Sequence, residues 1–296
     1  MKSKIIKMLA FAVSILTMLT LSSCKNVDTN TTEWKNANNV YRLYIQTPES
    51  QLDLVDEEAL SDMFEAFLME LEQKNQLFII DSSNFNELDG KKIYAHNKES
   101  MEETAISFDE NIDPNGKRIT VNMNYFRMNP IETVNGISIE ESLVKDDNTI
   151  NILVPNQYRD REEEIVALYK SFFYFQKVKV ENIYNEEIGR PLNTVTEDDL
   201  DVNIIYTKEN QNYFTFNPRV LSETKNIIVD PMVIIYEYKV HSSYAYSYAG
   251  TGSFFESDKN AEETFDEIKP EIEKIEGFSK YILGLRLASE HHLPFK

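Results

Sequence analysis

Cys24 is the only cysteine in the 296-residue chain, so neither a disulfide nor a CxxC motif can form. Leu21 stands three positions before it, and the small residues Ser22 and Ser23 lie between them. Small residues leave the backbone open to a peptidase, and the Cys24 sulfur is then the atom that takes a diacylglyceryl group as a thioether. Two acyl chains, at about 0.8 kcal/mol per buried CH₂, anchor a protein where one chain does not. The spacing makes Cys24 a candidate for lipidation, together with the residues that precede it.

The residues before Cys24 have the three-part order of an export signal. Residues 1–7 are basic, and residues 8–21 form an apolar stretch that is shorter than the roughly 20 residues needed to span a bilayer. Residues 21–24 resemble the lipobox of bacterial lipoproteins. This implies a signal peptide over residues 1–23 and a lipid-anchored location on the extracytoplasmic face of the cell membrane. A retained membrane helix with an incidental cysteine is the alternative.

The charge of the chain restricts its partners. Thirty basic and 50 acidic residues give a formal net charge of -20. Such a surface repels phosphate backbones, which excludes nucleic acid as a partner. It would also stand off an anionic bilayer, so we expect attachment through lipid rather than through a basic patch. The acidic balance suits cationic peptides, and the absence of disulfides suits a Gram-positive envelope.

No arrangement of catalytic or metal-binding residues emerges from the spacing. A zinc site needs ligands repeated along one face, and the four histidines lack such spacing: His96, His241, His291 and His292. Residues 109–116 alternate oxygen-bearing side chains, but Pro114 and Thr120 stand where a calcium loop needs Gly and Glu, so a turn is expected. Nucleophile-elbow, P-loop and dinucleotide motifs are absent from the sequence. We expect a non-enzymatic protein without cofactor or metal.

Five tyrosines form the most distinctive aromatic pattern. They recur with period two on either side of residues 239–243: Tyr236, Tyr238, Tyr244, Tyr246 and Tyr248. Period two predicts a β-hairpin with the rings on one face. That face is a candidate binding surface for a peptide or glycan. The alternative is cross-strand packing on a half-buried sheet, which is the commoner role of aromatic residues in strands.

Hydrophobic periodicity predicts an α+β domain over residues 40–296, after a flexible tether at residues 24–39 that is rich in Asn and Thr. Helices are predicted around residues 60–71, 160–175 and 261–275, the last with a kink or break at Pro270. Strands are predicted at residues 40–46, 77–80, 149–154, 178–184, 202–206, 213–216 and 227–238, and a hairpin at 105–108 and 118–123. Mixed or antiparallel sheets with packed helices follow, in one domain or in two lobes divided near residues 140–150.

Four segments resemble the extracytoplasmic part of the bacteriocin-associated integral membrane proteins of Gram-positive bacteria, an immunity and export family related to ABC-transporter permeases. They are residues 119–130 (ITVNMNYFRMNP), 152–164 (ILVPNQYRDREEE), 174–180 (YFQKVKV) and 230–236 (DPMVIIY). The resemblance covers roughly residues 40–275. It implies a two-lobed α+β domain similar to permease periplasmic core domains, and it supplies no catalytic residues.

The sequence departs from that family because no apolar stretch after residue 21 could form a further membrane helix, and because its first apolar segment carries the lipobox pattern. We therefore expect either a stand-alone relative or a truncated permease. The expected function is that of a non-catalytic binding or accessory domain of a bacteriocin immunity or ABC export system, with an ABC permease or a bacteriocin peptide as partner. The alternative is a solute-binding lipoprotein of an ABC importer.

Overall fold

The computed structural model describes residues 31–48, 51–103 and 107–290, with the side chains of residues 102 and 103 excepted. Several sequence predictions lie outside these residues. They are the signal peptide, the lipobox and Cys24, the first part of the tether, residues 105 and 106, and the pair His291 and His292.

The strands of the described residues form one large sheet and two small ones. In chain order they are β1 (Val40–Ile45), β2 (Phe78–Asp81), β3 (Glu87–Leu88), β4 (Lys91–Lys92), β5 (Arg118–Val121), β6 (Thr149–Pro155), β7 (Asp201–Thr207), β8 (Asn212–Phe214), β9 (Ile227–Val229), β10 (Met232–Ile235), β11 (Ser253–Glu256) and β12 (Ile282–Leu287). The large sheet has the order β12-β1-β11-β2-β5-β10-β6-β7, and β3–β4 and β8–β9 form separate hairpins. In the large sheet the pairs β5–β10 and β6–β7 are parallel and the others antiparallel.

Helices pack on this mixed sheet, so the α+β prediction is confirmed. In chain order they are α1 (Thr32–Asn36), α2 (Leu54–Gln73), α3 (Ile93–Glu103), α4 (Tyr125–Met128), α5 (Ile139–Ser142), α6 (Glu162–Tyr174), α7 (Val180–Ile188), α8 (Ser243–Gly252) and α9 (Ala261–Glu273). A π-helical turn, Phe175–Lys179, joins α6 to α7 without interruption.

The large sheet is covered on both faces because its strands are apolar on both sides. On one face α2, α8 and α9 pack over β1, β11 and β12, and α6 packs over β6 and β7. On the other face, α1, α4 and the β8–β9 hairpin close a second core around Phe78 and Phe254, whose rings stack at 5.5 Å. We call the first the helical face and the second the hairpin face.

The predicted strand at residues 178–184 is wrong, because this segment is helical. The π turn and α7 extend the preceding helix to Gly189, which ends it with a φ of 73°. Val178 and Val180 favoured a strand by propensity, but they are buried on the side of the helix that faces the core, together with Tyr184. Tertiary packing has overridden the local preference of the β-branched residues.

The hairpin predicted at residues 105–108 and 118–123 is also wrong. Both edges of β5 are occupied, by β2 on one side and β10 on the other, so no partner from residues 107–108 fits beside it. Residues 227–238 form two strands rather than one, since Asp230 adopts a φ of 48° and Pro231 cannot donate to a ladder. Helix α9 continues through Pro270 instead of breaking there.

Strands from before and after residues 140–150 alternate across the large sheet. The N-terminal strand β1 lies between β11 and β12, and β2 and β5 lie between β11 and β10. The sheet is therefore continuous across the expected lobe boundary and is not divided there.

Candidate functional site

The predicted tyrosine hairpin is wrong, because the five tyrosines lie on a loop and a helix. Tyr236 and Tyr238 follow the end of β10, while Tyr244, Tyr246 and Tyr248 belong to α8. Small Ser and Ala residues alternate with Tyr244, Tyr246 and Tyr248 and let α8 lie close to α2 and β2. This packing stabilises a helix, although the period of two predicted a strand.

The tyrosines pack into the core of the helical face. Tyr236 and Tyr248 are only 4% and 5% exposed, and their rings meet edge to face at 4.9 Å. Burial raises the pKa of Tyr248 to about 12. The phenol of Tyr238 donates to Glu72 Oε2 at 2.8 Å. Tyr236 and Tyr248 line only a small cavity of about 20 Å³, and Tyr238 borders a larger cleft.

That cleft, of about 390 Å³, opens beyond the carboxyl end of β10. Its walls come from α2, the π turn, the start of α7 and the loop after β10, and they are mostly charged: Glu58, Asp62, Glu65, Asp147, Lys177, Glu181, Asn193, Tyr238, Lys239, Val240, His241 and Ser242. We call it the acidic cleft, since five of these residues are Asp or Glu.

Helix α2 supplies the longest acidic wall. Asp53 caps its start by accepting the Asp56 amide at 2.9 Å, and Leu60, Phe64 and Phe67 bury the opposite stripe in the core. With this register, residues 58, 62 and 65 are spaced i, i+4, i+7, so their carboxylates project along one side. The apolar stripe of α2 therefore orients the acidic stripe toward the cleft.

The loop after β10 is docked onto the π turn. The backbone N–H of His241 donates to the Gln176 carbonyl at 3.3 Å, and Lys177 Nζ donates to the Lys239 carbonyl at 3.2 Å. A π turn leaves backbone groups out of the regular α-helical pattern, and such turns are frequent at functional sites. The turn thus provides the carbonyl that holds the floor of the cleft.

His241 is the buried polar residue at the centre of this loop. Its ring stacks on Tyr184 at 4.3 Å, and its Nδ1 accepts the Ser243 N–H at 3.2 Å. The neutral ring therefore carries its proton on Nε2, which lies 3.9 Å from Glu58 Oε1. Burial lowers the pKa of His241, opposed by the charge of Glu58. Glu58 in turn accepts from Arg190 at 2.9 Å.

Glu65 is the carboxylate of the cleft that lacks a compensating group. Within the described residues it has neither a hydrogen-bond donor nor a cation in contact. Burial and then the charge of Asp62 raise the pKa of Glu65 to about 7. Asp62 is stabilised by Ser242 Oγ at 2.6 Å, and Glu181 by the Asn193 amide at 2.7 Å. The cleft therefore has an unneutralised acidic position on α2.

Two lysines give the opposite wall a positive character. Lys239 Nζ is bound by Glu237 at 3.0 Å and by the carbonyls of Val144 and Thr149. Burial lowers the pKa of Lys177, which remains the freer ammonium of the two. A ligand of the cleft would meet carboxylates on the α2 side and ammonium groups on the other.

A hydrolytic arrangement is not formed by the neighbouring serine. Ser243 Oγ lies 3.0 Å from His241 Nδ1, but that nitrogen also accepts the Ser243 backbone N–H, and Ser243 does not line the cleft. Glu58 is beyond hydrogen-bond distance of the ring. The contact is a local turn that fixes the histidine.

Other expected features lie away from the cleft. Residues 109–116 form the predicted turn, with Asp109 and Asp113 accepting the amides of Asn111 and Asn115 at 3.0 and 2.8 Å. His96 Nε2 contacts the Leu88 carbonyl at 2.7 Å. Over the described ranges, no three His, Cys, Asp or Glu residues are grouped to hold a metal ion, and no helix there is long and apolar enough to cross a bilayer.

Comparison of the chain with protein families, with curated proteins and with solved structures finds no match to any of them.

Sequence reasoning missed the acidic cleft almost entirely. One signal was present, since Glu58, Asp62 and Glu65 follow helical spacing on the polar side of a helix whose apolar side was recognised. His241 and Lys177 gave no signal, because each is brought to the cleft by a fold that joins segments far apart in the chain.

Proposed function

We propose that the chain is a lipid-anchored, extracytoplasmic, non-catalytic binding protein whose acidic cleft takes a cationic group of a peptide or of a partner's ectodomain. The partner would belong to a bacteriocin immunity or ABC export system. The observation that carries the binding role is the partly buried Glu65 carboxylate, which lacks a cation among the described residues while Asp62 and Glu58 lie along the same stripe.

The charge of this wall supports a cationic ligand. A carboxylate that is partly desolvated and next to a like charge is less stable ionised than in water, and a bound ammonium or guanidinium group would relieve that cost. Glu65 and Asp62 can therefore contribute binding energy only when a positive group approaches. The predicted export signal and the resemblance to bacteriocin-associated proteins favour a cationic peptide as the source of that group.

A charge-matched pair of double variants tests the site. Asp62→Asn/Glu65→Gln removes two cleft carboxylates, and Glu262→Gln/Asp266→Asn removes two exposed carboxylates one turn apart on α9. Isothermal titration with a short oligolysine peptide near 0.15 M salt should show about a 5- to 30-fold weaker affinity for the cleft variant alone, from about 1–2 kcal/mol of lost charge contacts. Equal losses in both variants would mean general attraction to an acidic surface and would refute the cleft.

The anchor is tested separately at Cys24. The wild-type chain should incorporate a labelled fatty acid and fractionate with membranes, and Cys24→Ala should do neither. Unchanged fractionation of Cys24→Ala, or no label in the wild type, would contradict lipidation while leaving the cleft experiment unaffected.

A second candidate, a solute-binding lipoprotein of an ABC importer, is favoured by one observation. The cleft has the volume of a small-molecule site and presents carboxylates opposite Lys177, which suits a small zwitterion. A thermal-shift series with free amino acids and small amines separates the two. Stabilisation by a free amino acid, without binding of the peptide, would favour solute capture.

A further inference from the structure

Tyr238 has an unusual backbone conformation for an aromatic residue. It lies in the loop after β10 with a φ of 58°, in the left-handed region that Gly and Asn adopt most readily. A bulky side chain in this region costs about 1–2 kcal/mol. Strained residues of this kind persist where the surrounding structure holds them, and they concentrate at binding sites. The strain therefore makes Tyr238 a candidate for a role that a smaller residue would not fill.

Polar contacts hold the residues on either side of Tyr238. The Glu237 carboxylate accepts a hydrogen bond from the Asn151 side chain at 2.5 Å and pairs with Lys239 Nζ at 3.0 Å. The Lys239 carbonyl accepts a hydrogen bond from Lys177 at 3.2 Å. Because both neighbours are tied in this way, the backbone at Tyr238 cannot relax without breaking these contacts.

The ring of Tyr238 is fixed as well. Its phenol donates to Glu72 Oε2 at 2.8 Å, and the ring packs against Tyr236 at 4.5 Å with a tilt of 52°. The side chain is only partly buried, and it borders the acidic cleft. The cleft is thus offered a rigid aromatic group, which loses little conformational entropy when a ligand binds.

This ring lies at the end of the acidic stripe of α2. Glu65 and Glu72 are seven residues apart, about two helical turns, so they lie on the same side of the helix. Glu65 lines the cleft and Glu72 holds the phenol, so Tyr238 closes the cleft where the stripe ends. A cleft of about 390 Å³ is at the small end of ligand sites, and a cationic group inside it is therefore brought close to both Glu65 and the ring.

Within the part of the chain that the structure describes, no Lys or Arg side chain stacks on the Tyr238 ring. Two lysines line the same cleft, but Lys239 is bound by Glu237 and Lys177 by the Lys239 carbonyl. The cleft therefore combines an aromatic ring with the Glu65 carboxylate, and the described residues supply neither of them with a cation.

An aromatic ring beside a carboxylate favours a guanidinium group over an ammonium group. A guanidinium is planar and weakly hydrated, so it can stack on a ring while its N–H groups bind a carboxylate through two parallel hydrogen bonds. An ammonium is compact and strongly hydrated, and it gains less from the ring. Both oxygens of Glu65 are available for such a pair, since the described residues give this carboxylate no donor.

We propose that Tyr238 determines the specificity of the acidic cleft, which takes an arginine side chain of its peptide or protein partner in preference to a lysine. The guanidinium would stack on the Tyr238 ring and bind the Glu65 carboxylate, and Asp62 would add negative charge from the preceding turn of α2. This inference rests on the proposed binding of a cationic group and adds the chemical class of that group.

Two peptides of equal length and charge, oligoarginine and oligolysine, test the preference by titration calorimetry near 0.15 M salt. Tyr238→Asn removes the ring and suits the left-handed backbone, which favours folding of the variant, and Tyr238→Phe keeps the ring. The matched control is Tyr206→Asn, because the Tyr206 phenol donates to Glu162 at 2.6 Å as that of Tyr238 donates to Glu72, and Tyr206 does not line the cleft. Fluorescence of Trp34, the only tryptophan, reports that each variant is folded.

The wild type, Tyr238→Phe and Tyr206→Asn should bind oligoarginine about 3- to 10-fold more tightly than oligolysine, and Tyr238→Asn should bind the two peptides alike. A purely structural role of Tyr238 would lower both affinities together and leave their ratio unchanged. Because the two affinities are measured on one preparation, an unfolded fraction does not alter that ratio. The proposal is overturned if the wild type does not distinguish the peptides, or if Tyr238→Asn keeps the preference.

The double variant Asp62→Asn/Glu65→Gln separates this failure from failure of the proposed function. If it weakens the binding of both peptides and the wild type shows no preference, the cleft binds cations without selection by the ring, and only the arginine preference is refuted. If the double variant binds both peptides as tightly as the wild type, the cleft is not the binding site and both proposals fail.

Discussion

Replacing Glu65 with glutamine should stabilise the protein above neutral pH and have little effect in acid. The pKa of Glu65 is raised to about 7, first by burial and then by the charge of Asp62, whereas an unfolded chain would titrate it near 4.5. Between these values the folded state binds more protons than the unfolded state. The free energy of unfolding therefore falls as pH rises from about 4.5 to 7. Glutamine keeps the shape of the protonated acid and does not titrate.

The size of the effect follows from the difference between the two pKa values. At about 1.4 kcal/mol per factor of ten, a rise from 4.5 to about 7 sets an upper limit of roughly 3.5 kcal/mol. The side chain is only partly buried, so solvent screening reduces the expected value to about 1–2 kcal/mol. Glu65→Gln should exceed the wild type by that amount at pH 8 and match it near pH 5.

Urea unfolding at both pH values measures this difference. The control is Glu70→Gln on the same helix, which breaks the 2.8 Å ion pair with Lys74 and should be neutral or slightly destabilising. At pH 8, Glu65→Gln is therefore expected to be more stable than the wild type, and Glu70→Gln is not. If Glu65→Gln were no more stable than the wild type at pH 8, or equally stabilised at pH 5, the desolvation argument for the cleft would be refuted.

Three further outcomes are expected. The affinity for oligolysine should rise between pH 6 and 8 as Glu65 ionises, and titration calorimetry should find no such rise in Glu65→Gln. Gly252→Ala should cost more than about 2 kcal/mol in urea unfolding, because its Cβ would lie 2.2 Å from the Ile80 carbonyl oxygen, whereas Gly189→Ala meets open space and should cost about 1 kcal/mol. Phe64→Ala should cost about 3–5 kcal/mol, since Phe64 is fully buried between Tyr246 and Phe278, and Met69→Ala, 37% exposed, should cost far less.

The elements predicted best from sequence are those whose burial pattern repeats over many residues. The helical spacing of apolar residues in α2 predicted a helix and the β-branched run of β6 predicted a strand, and the structure confirms both. Residues 178–184 failed because Val178 and Val180 are equally compatible with a strand or with a buried helix side. What decides between them is contact with α2, which lies more than 100 residues earlier in the chain.

The acidic cleft could not be predicted for a related reason. Asp147, Lys177 and His241 come from three segments, and their meeting depends on the order of strands in the sheet and on a π turn. The tyrosines caused the opposite error, since the sequence predicted a binding surface that the structure does not form. The Ser-Tyr-Ala-Tyr alternation satisfies a strand pattern, while its small residues also suit a closely packed helix. Local periodicity alone does not distinguish a strand with tyrosines on one face from a closely packed helix that contains the same residues.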